Sequence, residues 1–191
     1  AIGGGGLAAG VAQCAKQINP NIKIIGVEPE GAQCMKEALK FGKPVELSKV
    51  STIADGTAVK LAGQRTFELL NGVIDEIVTV SDYELMDAFL VLVEKHKLIA
   101  ETSGILTLAG LQKIKEKGKK VVSIVSGGNI DVLTISSMIT KGLVSRGRIF
   151  SFSVDLTDKP GELVKVSEIL STQNANVIKL NHNQFKNLDR F

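Results

Sequence analysis

Cysteine is scarce: Cys14 and Cys34 are the only two in 191 residues. Neither stands in a C-x-x-C spacing or beside a histidine cluster, which argues against a zinc site or a disulfide framework and fits a reducing, cytoplasmic setting. Histidine is equally sparse, with His96 and His182 isolated. No apolar run approaches the ~20 residues that span a bilayer, and the N-terminus lacks the cationic start of a secretory signal, so neither membrane insertion nor export is predicted. Four prolines, with 44% apolar and 23% charged residues, exclude a collagen-like or disordered chain. Lys and Arg outnumber Asp and Glu by 23 to 20. That excess is too small to predict nucleic-acid binding, and the one basic run, Lys113 to Lys120, reads as a solvated helix end. The length predicts one main domain with a small appendage and excludes a large multidomain enzyme.

What is present is a regular alternation of apolar runs and helical patterns. A glycine tract, Gly3 to Gly6, opens a small-residue helix over Leu7 to Gln17; Asn19-Pro20-Asn21 ends it before a buried strand over Ile22 to Val27. A helix around Ala32 to Phe41, an irregular stretch from Pro44 to Gly56, a helix over Thr57 to Leu70 and a strand over Ile74 to Val80 follow. Ser81 and Glu84 form a capping box for a helix over Asp82 to Lys97. Thr102 to Lys117 reads as a further helix, and Val121 to Val125 as the clearest buried strand, ending in Ser126-Gly127-Gly128-Asn129 before a helix capped near Asp131. Strands alternating with helices predict an α/β domain with a parallel sheet, in which ligands collect at the carboxyl ends of the strands. The hydrophilic joint Lys141 to Arg148 marks a boundary between residues 1–145 and 146–191. Beyond it, a strand over Arg148 to Leu156, turn chemistry at Asp158 to Gly161, a helix over Glu162 to Thr172 and a strand over Ala175 to Leu180 make a βαβ unit.

Two glycine loops carry the chemistry. Consecutive glycines opening a helix let several backbone N–H groups converge on one anion, and the helix dipole favours negative charge there, so Gly3, Gly4, Gly5 and Gly6 with Leu7 predict a phosphate cradle. The same tract satisfies a G-x-G-x-x-A dinucleotide fingerprint, with Glu28 at the end of the next strand where a ribose-binding acid belongs; an NAD(P)-binding Rossmann-type domain is therefore a rival reading. Ser126 to Asn129 presents a hydroxyl and two bare backbone positions to a planar ligand, or else is a plain strand-to-helix connection.

Those loops lie within five ordered segments: GGGGLAAG (residues 3–10), IIGVEPEGA (24–32), TIADGTAVK (52–60), LIAETSG (98–104) and VVSIVSGGNID (121–131). In order and spacing, over roughly residues 1–141, the chain resembles threonine dehydratase (threonine ammonia-lyase), a lyase of the second fold type of pyridoxal-phosphate enzymes, related to serine dehydratase and serine racemase. The resemblance implies a three-layer α/β fold with a parallel sheet like that of the tryptophan synthase β subunit. It implies pyridoxal 5'-phosphate as cofactor, an amino acid as substrate, and β-elimination of L-threonine, or L-serine, to 2-oxobutanoate, or pyruvate, and ammonia. The setting would be amino-acid metabolism, either isoleucine biosynthesis or threonine catabolism. Gly3 to Leu7 would cradle the phosphate. Ser126 would hydrogen-bond the pyridine nitrogen without holding it protonated, with Gly127 and Asn129 beside it. Asp55, Gly56 and Glu101 would lie near the cofactor ring, although Glu101 also reads as a helix cap and Asp55 as a turn residue. A cation site in related enzymes maps to Glu28, Ala32 and Cys34; the thiol at Cys34 disfavours a divalent metal and leaves a monovalent or structural ion.

The Schiff-base lysine of this family has no counterpart here, and Lys60, near a cofactor-like segment, reads as an ordinary helix residue. A chain lacking that lysine is expected to be the carboxyl portion of a catalytic domain, inactive alone. Phe150 to Leu163 resembles the start of a ferredoxin-like ACT regulatory domain. That implies self-association into a homo-oligomer and an effector amino acid, isoleucine or valine, near the Asp158 to Gly161 turn. Asn181 to Phe191 would lead into the next hairpin. The remaining alternative is an amino-acid-sensing regulatory module with a vestigial glycine loop.

Overall fold

The computed structural model describes residues 1–115 and 118–183. The chain divides into two compact units, Ala1–Phe150 and Ser151–Phe191.

The first unit is built on two parallel strands, β1 (Ile25–Pro29) and β2 (Glu76–Val80), paired with Val27 opposite Val78. The even-numbered backbone groups of β1 and its flanks face β2: Ile24 O accepts the Asp75 N–H at 3.0 Å, and the Glu30 N–H donates to Val80 O at 2.8 Å. The odd-numbered groups face the opposite edge, where the Ile2 N–H donates to Val27 O at 2.9 Å. This bond lays the start of the chain along β1 and delivers the glycine tract close to its carboxyl end.

Helices α1 (Gly6–Ile18), α2 (Cys34–Phe41) and α3 (Gln64–Leu70) cover one face. Ile2, Ala9, Ala12, Met35, Phe67 and Leu70 form their core. The small residues Ala9 and Ala12 let α1 approach closely, and Lys16 in its last turn pairs with Asp75 at 2.9 Å. The other face carries α4 (Asp82–Val91), α5 (Leu106–Gly110) and α6 (Val132–Ser145), whose core includes Val27, Val80, Leu85, Phe89, Leu106 and Met138. The result is α/β/α layering. Burying a side chain such as Phe89 completely contributes roughly 1.5–3 kcal/mol.

Local signals place the helix starts. The Glu84 N–H donates to Ser81 Oγ at 3.3 Å, and the Ser81 N–H donates back to the Glu84 carboxylate at 2.8 Å, completing the capping box of α4. Asp131 itself caps α6, accepting the Thr134 N–H at 2.9 Å. Arg146, placed by sequence in a hydrophilic joint, follows α6 and pairs with Asp87 on α4 at 2.6 Å; Arg148 pairs with Glu94.

Several elements differ from the sequence expectation. β1 starts at Ile25, because the Ile22 N–H is taken by Asn19 O in a turn. The stretch from Thr57 is a single 3-10 turn, Asp55–Thr57, and helix α3 waits until the extended Gly63 has passed. α4 gives way at Leu92–His96 to a π-turn that closes on Lys97 in the left-handed region, φ 58°. The helix expected over Thr102 to Lys117 begins at Leu106, ends at Gly110 and passes through a 3-10 turn, Leu111–Lys113, into extended backbone at Ile114; residues 116–117 lie outside the described residues.

The apolar run Val121 to Val125 is not a strand, and Val122 is 89% exposed. A strand needs a neighbouring ladder, and this segment lies against none: Ile124 O accepts the Thr107 hydroxyl at 2.7 Å and the Ser126 N–H donates to Gly104 O at 3.2 Å. The sheet among the described residues therefore has two strands.

In the second unit, the segments over 151–156 and 175–180 likewise form no strands, and α7 (Glu162–Thr172) is the regular element among its described residues. Among the described residues the expected βαβ unit thus shows its helix and neither strand. The hairpin expected toward Phe191 lies outside the described residues from 184 onward.

Candidate cofactor site

The glycine tract leaves β1's edge and turns into α1. Gly5 adopts φ 92°, and a Cβ there would stand 2.7 Å from Met35 Cε and 2.9 Å from Thr66 Cβ. A Cβ at Gly3 would meet the Thr57 backbone at 2.9 Å. At Gly4 and Gly6, by contrast, a Cβ would meet nothing within 4 Å. Packing demands glycine at two of the four positions. The other two are exposed and open onto space that an anion can occupy. The N–H groups of Gly3 to Gly6 donate to no backbone acceptor among the described residues, so the loop offers donors at the positive end of α1.

From the tract a continuous wall leads to the second loop. The Gly3 position abuts Gly56 O; a Cβ on Gly56 would lie 3.1 Å from Ser103 Oγ and 3.4 Å from Glu101 Oε1. Glu101 does not cap a helix: its N–H donates to Gly127 O at 3.2 Å and its carboxylate accepts the Asn129 N–H at 3.3 Å. Gly127 has φ 74°, and a Cβ there would overlap the Glu101 carboxyl group. Ser126 is half-buried, with Gly127 and Asn129 exposed beside it. Leu7 is 51% exposed, and Asp55 opens the 3-10 turn that carries Gly56. Lys60 is exposed.

The sequence matches the family described as pyridoxal-phosphate dependent enzymes over residues 1–127. The chain belongs to this family. It is 42% identical to an L-threonine ammonia-lyase of Thermotoga maritima, over 96% of this chain and 46% of that protein. It is 38% identical to an L-threonine ammonia-lyase of Geobacter sulfurreducens over the same shares. It thus spans about half the length of these curated relatives. Among solved structures it resembles the processed form of threonine deaminase isoform 2 from Solanum lycopersicum, with a TM-score of 0.67, 42% identity, and coverage of 73% of this chain and 42% of that one. It also resembles maize serine racemase, with a TM-score of 0.65, 35% identity, and coverage of 73% and 46%. The fold is that of the second type of pyridoxal-phosphate enzymes.

Pyridoxal-phosphate dependence agrees with the open positions at Gly4 and Gly6 and with a wall that ends in a neutral hydroxyl at Ser126. The dinucleotide reading does not survive the structure. Glu28, its ribose-binding acid, is fully buried and accepts the N–H groups of Met35 and Lys36, each at 2.9 Å, serving as a cap for α2 from outside that helix.

The implied cation site fits no better. Both Glu28 oxygens are engaged by backbone donors, and burial pushes its carboxyl up to about 7. Burial, reinforced by the charge of Glu28, pushes the Cys34 thiol up to about 11, which keeps it protonated. Ala32 is fully buried in the turn after β1, where its N–H donates to Pro29 O at 2.9 Å. Among the described residues no group of three or more His, Cys, Asp or Glu side chains could hold a metal ion. No described helix is long and apolar enough to cross a membrane.

Sequence reasoning missed two members of this neighbourhood. Ser103 is buried beside Thr57, with their hydroxyl oxygens 3.5 Å apart, and Thr66 reaches the glycine tract from α3. Ser103 lies inside a motif already singled out; Thr66 carries no local signal.

Proposed function

We propose that this chain forms part of an enzyme that deaminates L-threonine, with L-serine as a second substrate, by β-elimination to the 2-oxo acid and ammonia. The observation that carries this reading is the continuous wall from the open positions Gly4 and Gly6, through Gly56 and Glu101, to Ser126. Bound pyridoxal phosphate would supply the electron sink that makes the substrate α-proton removable. The N–H groups of Gly3 to Leu7 would hold its phosphate. The Ser126 hydroxyl would donate to the pyridine nitrogen without protonating it, which limits electron withdrawal and suits elimination. The Asn129 N–H donates to the Glu101 carboxylate, which would lie beside the ring, and glycine at 56 and 127 lets both loops pack closely against Glu101.

Among the described residues no lysine stands in this wall, and the relatives are about twice as long as this chain. In a protein of the relatives' length, the Schiff-base lysine would be supplied by residues outside the matched half. The second unit would be part of an ACT-like regulatory domain. Its turn at Lys159 to Gly161, which leads into α7, would bind isoleucine or valine, and the whole protein would be a cytoplasmic homo-oligomer.

The test is release of 2-oxobutanoate from threonine by the full-length protein loaded with pyridoxal phosphate. Stoichiometric ammonia and 2-oxobutanoate are expected. Binding of pyridoxal phosphate with racemisation and no 2-oxo acid would reject the deaminase reading.

A further inference from the structure

Three successive carbonyls of the glycine tract are each held from behind. Gly5 O accepts the Ala9 N–H inside α1 at 2.8 Å. Gly3 O lies 3.5 Å from Cys34 Sγ on α2. Gly4 O lies 2.5 Å from Thr66 Oγ1 on α3, across 62 positions of sequence. The peptide unit is planar and trans, so fixing the carbonyl of one residue aims the N–H of the next in the opposite direction. Three anchors therefore aim the N–H groups of Gly4, Gly5 and Gly6 away from the core, toward the open side of the tract.

The Thr66 anchor is the least replaceable by backbone. Its hydroxyl has one proton and two acceptors in reach, Gly4 O at 2.5 Å and Gly63 O at 2.9 Å. Gly63 O also accepts the Phe67 N–H at 2.9 Å, and the shorter of the two hydroxyl contacts, the one to Gly4 O, is where we assign the proton. Thr66 Cβ also lies 2.9 Å from where a Cβ on Gly5 would stand, so this side chain both ties the tract and sets how close it lies to α3.

We propose that Thr66 is a positioning residue for phosphate binding: by anchoring the Gly4 carbonyl, its hydroxyl aims the Gly5 N–H at the phosphate of the cofactor. This role rests on the phosphate cradle proposed above.

The test uses the full-length apoprotein and compares Thr66→Ala with Thr66→Ser, two variants that differ by one oxygen atom. Dissociation constants are measured for pyridoxal phosphate, for pyridoxal, which lacks the phosphate, and for inorganic phosphate as competitor. Thr66→Ala is expected to weaken pyridoxal phosphate and inorganic phosphate about fivefold to tenfold and to leave pyridoxal unchanged, with Thr66→Ser within about twofold of wild type. A general loss of structure would lower both aldehydes together and would not be rescued by serine. An unchanged ratio of the two aldehyde affinities in Thr66→Ala overturns the role of Thr66. If Thr66→Ala does not fold, Thr66→Val replaces it; failure of both to fold makes Thr66 a residue of core stability and equally overturns the role. A wild-type protein that prefers neither pyridoxal phosphate over pyridoxal nor inorganic phosphate over chloride would instead remove the cradle itself.

Discussion

Cys34 Sγ stands 3.9 Å from Glu28 Oε1, with both residues fully buried and the same sulfur 3.5 Å from the carbonyl of Gly3. A thiol and a carboxyl thus join the N-terminus of α2 to the start of the glycine tract. Their ionisation is suppressed by the same burial that makes the contact possible.

Stability should therefore depend on pH through Glu28. Burial raises its carboxyl from 4.5 to about 7, against the opposing hydrogen bonds from Met35 and Lys36. Between these values the folded protein holds a proton that the unfolded chain has released, so stability is full below 4.5, falls as pH rises toward 7, and is level above it. The fall is on the order of 3 kcal/mol. Urea unfolding between pH 4.5 and 8 measures it, and Glu28→Gln should flatten the profile in that window.

Alanine at Gly4 and at Gly5 should separate binding from folding. Gly5→Ala places a side chain at φ 92° against Met35 and Thr66, and its backbone cost alone is about 1–2 kcal/mol. Gly4→Ala meets nothing within 4 Å and should leave the melting temperature unchanged while weakening pyridoxal phosphate about tenfold. A Gly4→Ala protein with full cofactor affinity would place the phosphate elsewhere.

Gly127→Ala should displace Glu101, because the new Cβ overlaps the Glu101 carboxyl group. The Asn129 N–H then loses its acceptor, and the Ser126 loop moves with it. The expected result is a shifted absorbance band of the bound cofactor with unchanged affinity for inorganic phosphate. An unaltered spectrum would separate Glu101 from the ring.

Ser81→Ala removes one half of the capping box that starts α4 and should cost about 1 kcal/mol in thermal or urea unfolding, with no effect on cofactor binding. Any loss of cofactor affinity in this variant would mean that α4 is coupled to the site.

Features set by neighbours in sequence were legible without the structure. The capping box Ser81 and Glu84 needs only residues three apart, and the glycine tract that opens a helix is a feature of adjacent positions. The five ordered motifs likewise sufficed to identify the family, which the match over residues 1–127 bears out. Helix boundaries were less legible, since the ends of α3, α4 and α5 depend on single residues such as the extended Gly63 and the left-handed Lys97.

What only the tertiary structure decided are the relationships made across long separations. Val121 to Val125 has every local mark of a strand, yet strand structure belongs to a pair, and no ladder partner lies beside it among the described residues. Glu28 sits at the end of a strand, where a sequence pattern offers ribose or a cation. The position of α2 commits its carboxyl to two backbone N–H groups instead. Thr66 bears no motif at all and acquires its place from a hydroxyl that meets Gly4 across 62 residues. The sequence by itself determined the family and the local start signals of the helices. The packing of α2 and α3 against the glycine tract decided which side chains contact it, because hydrogen bonds between distant residues exist only once the chain has folded.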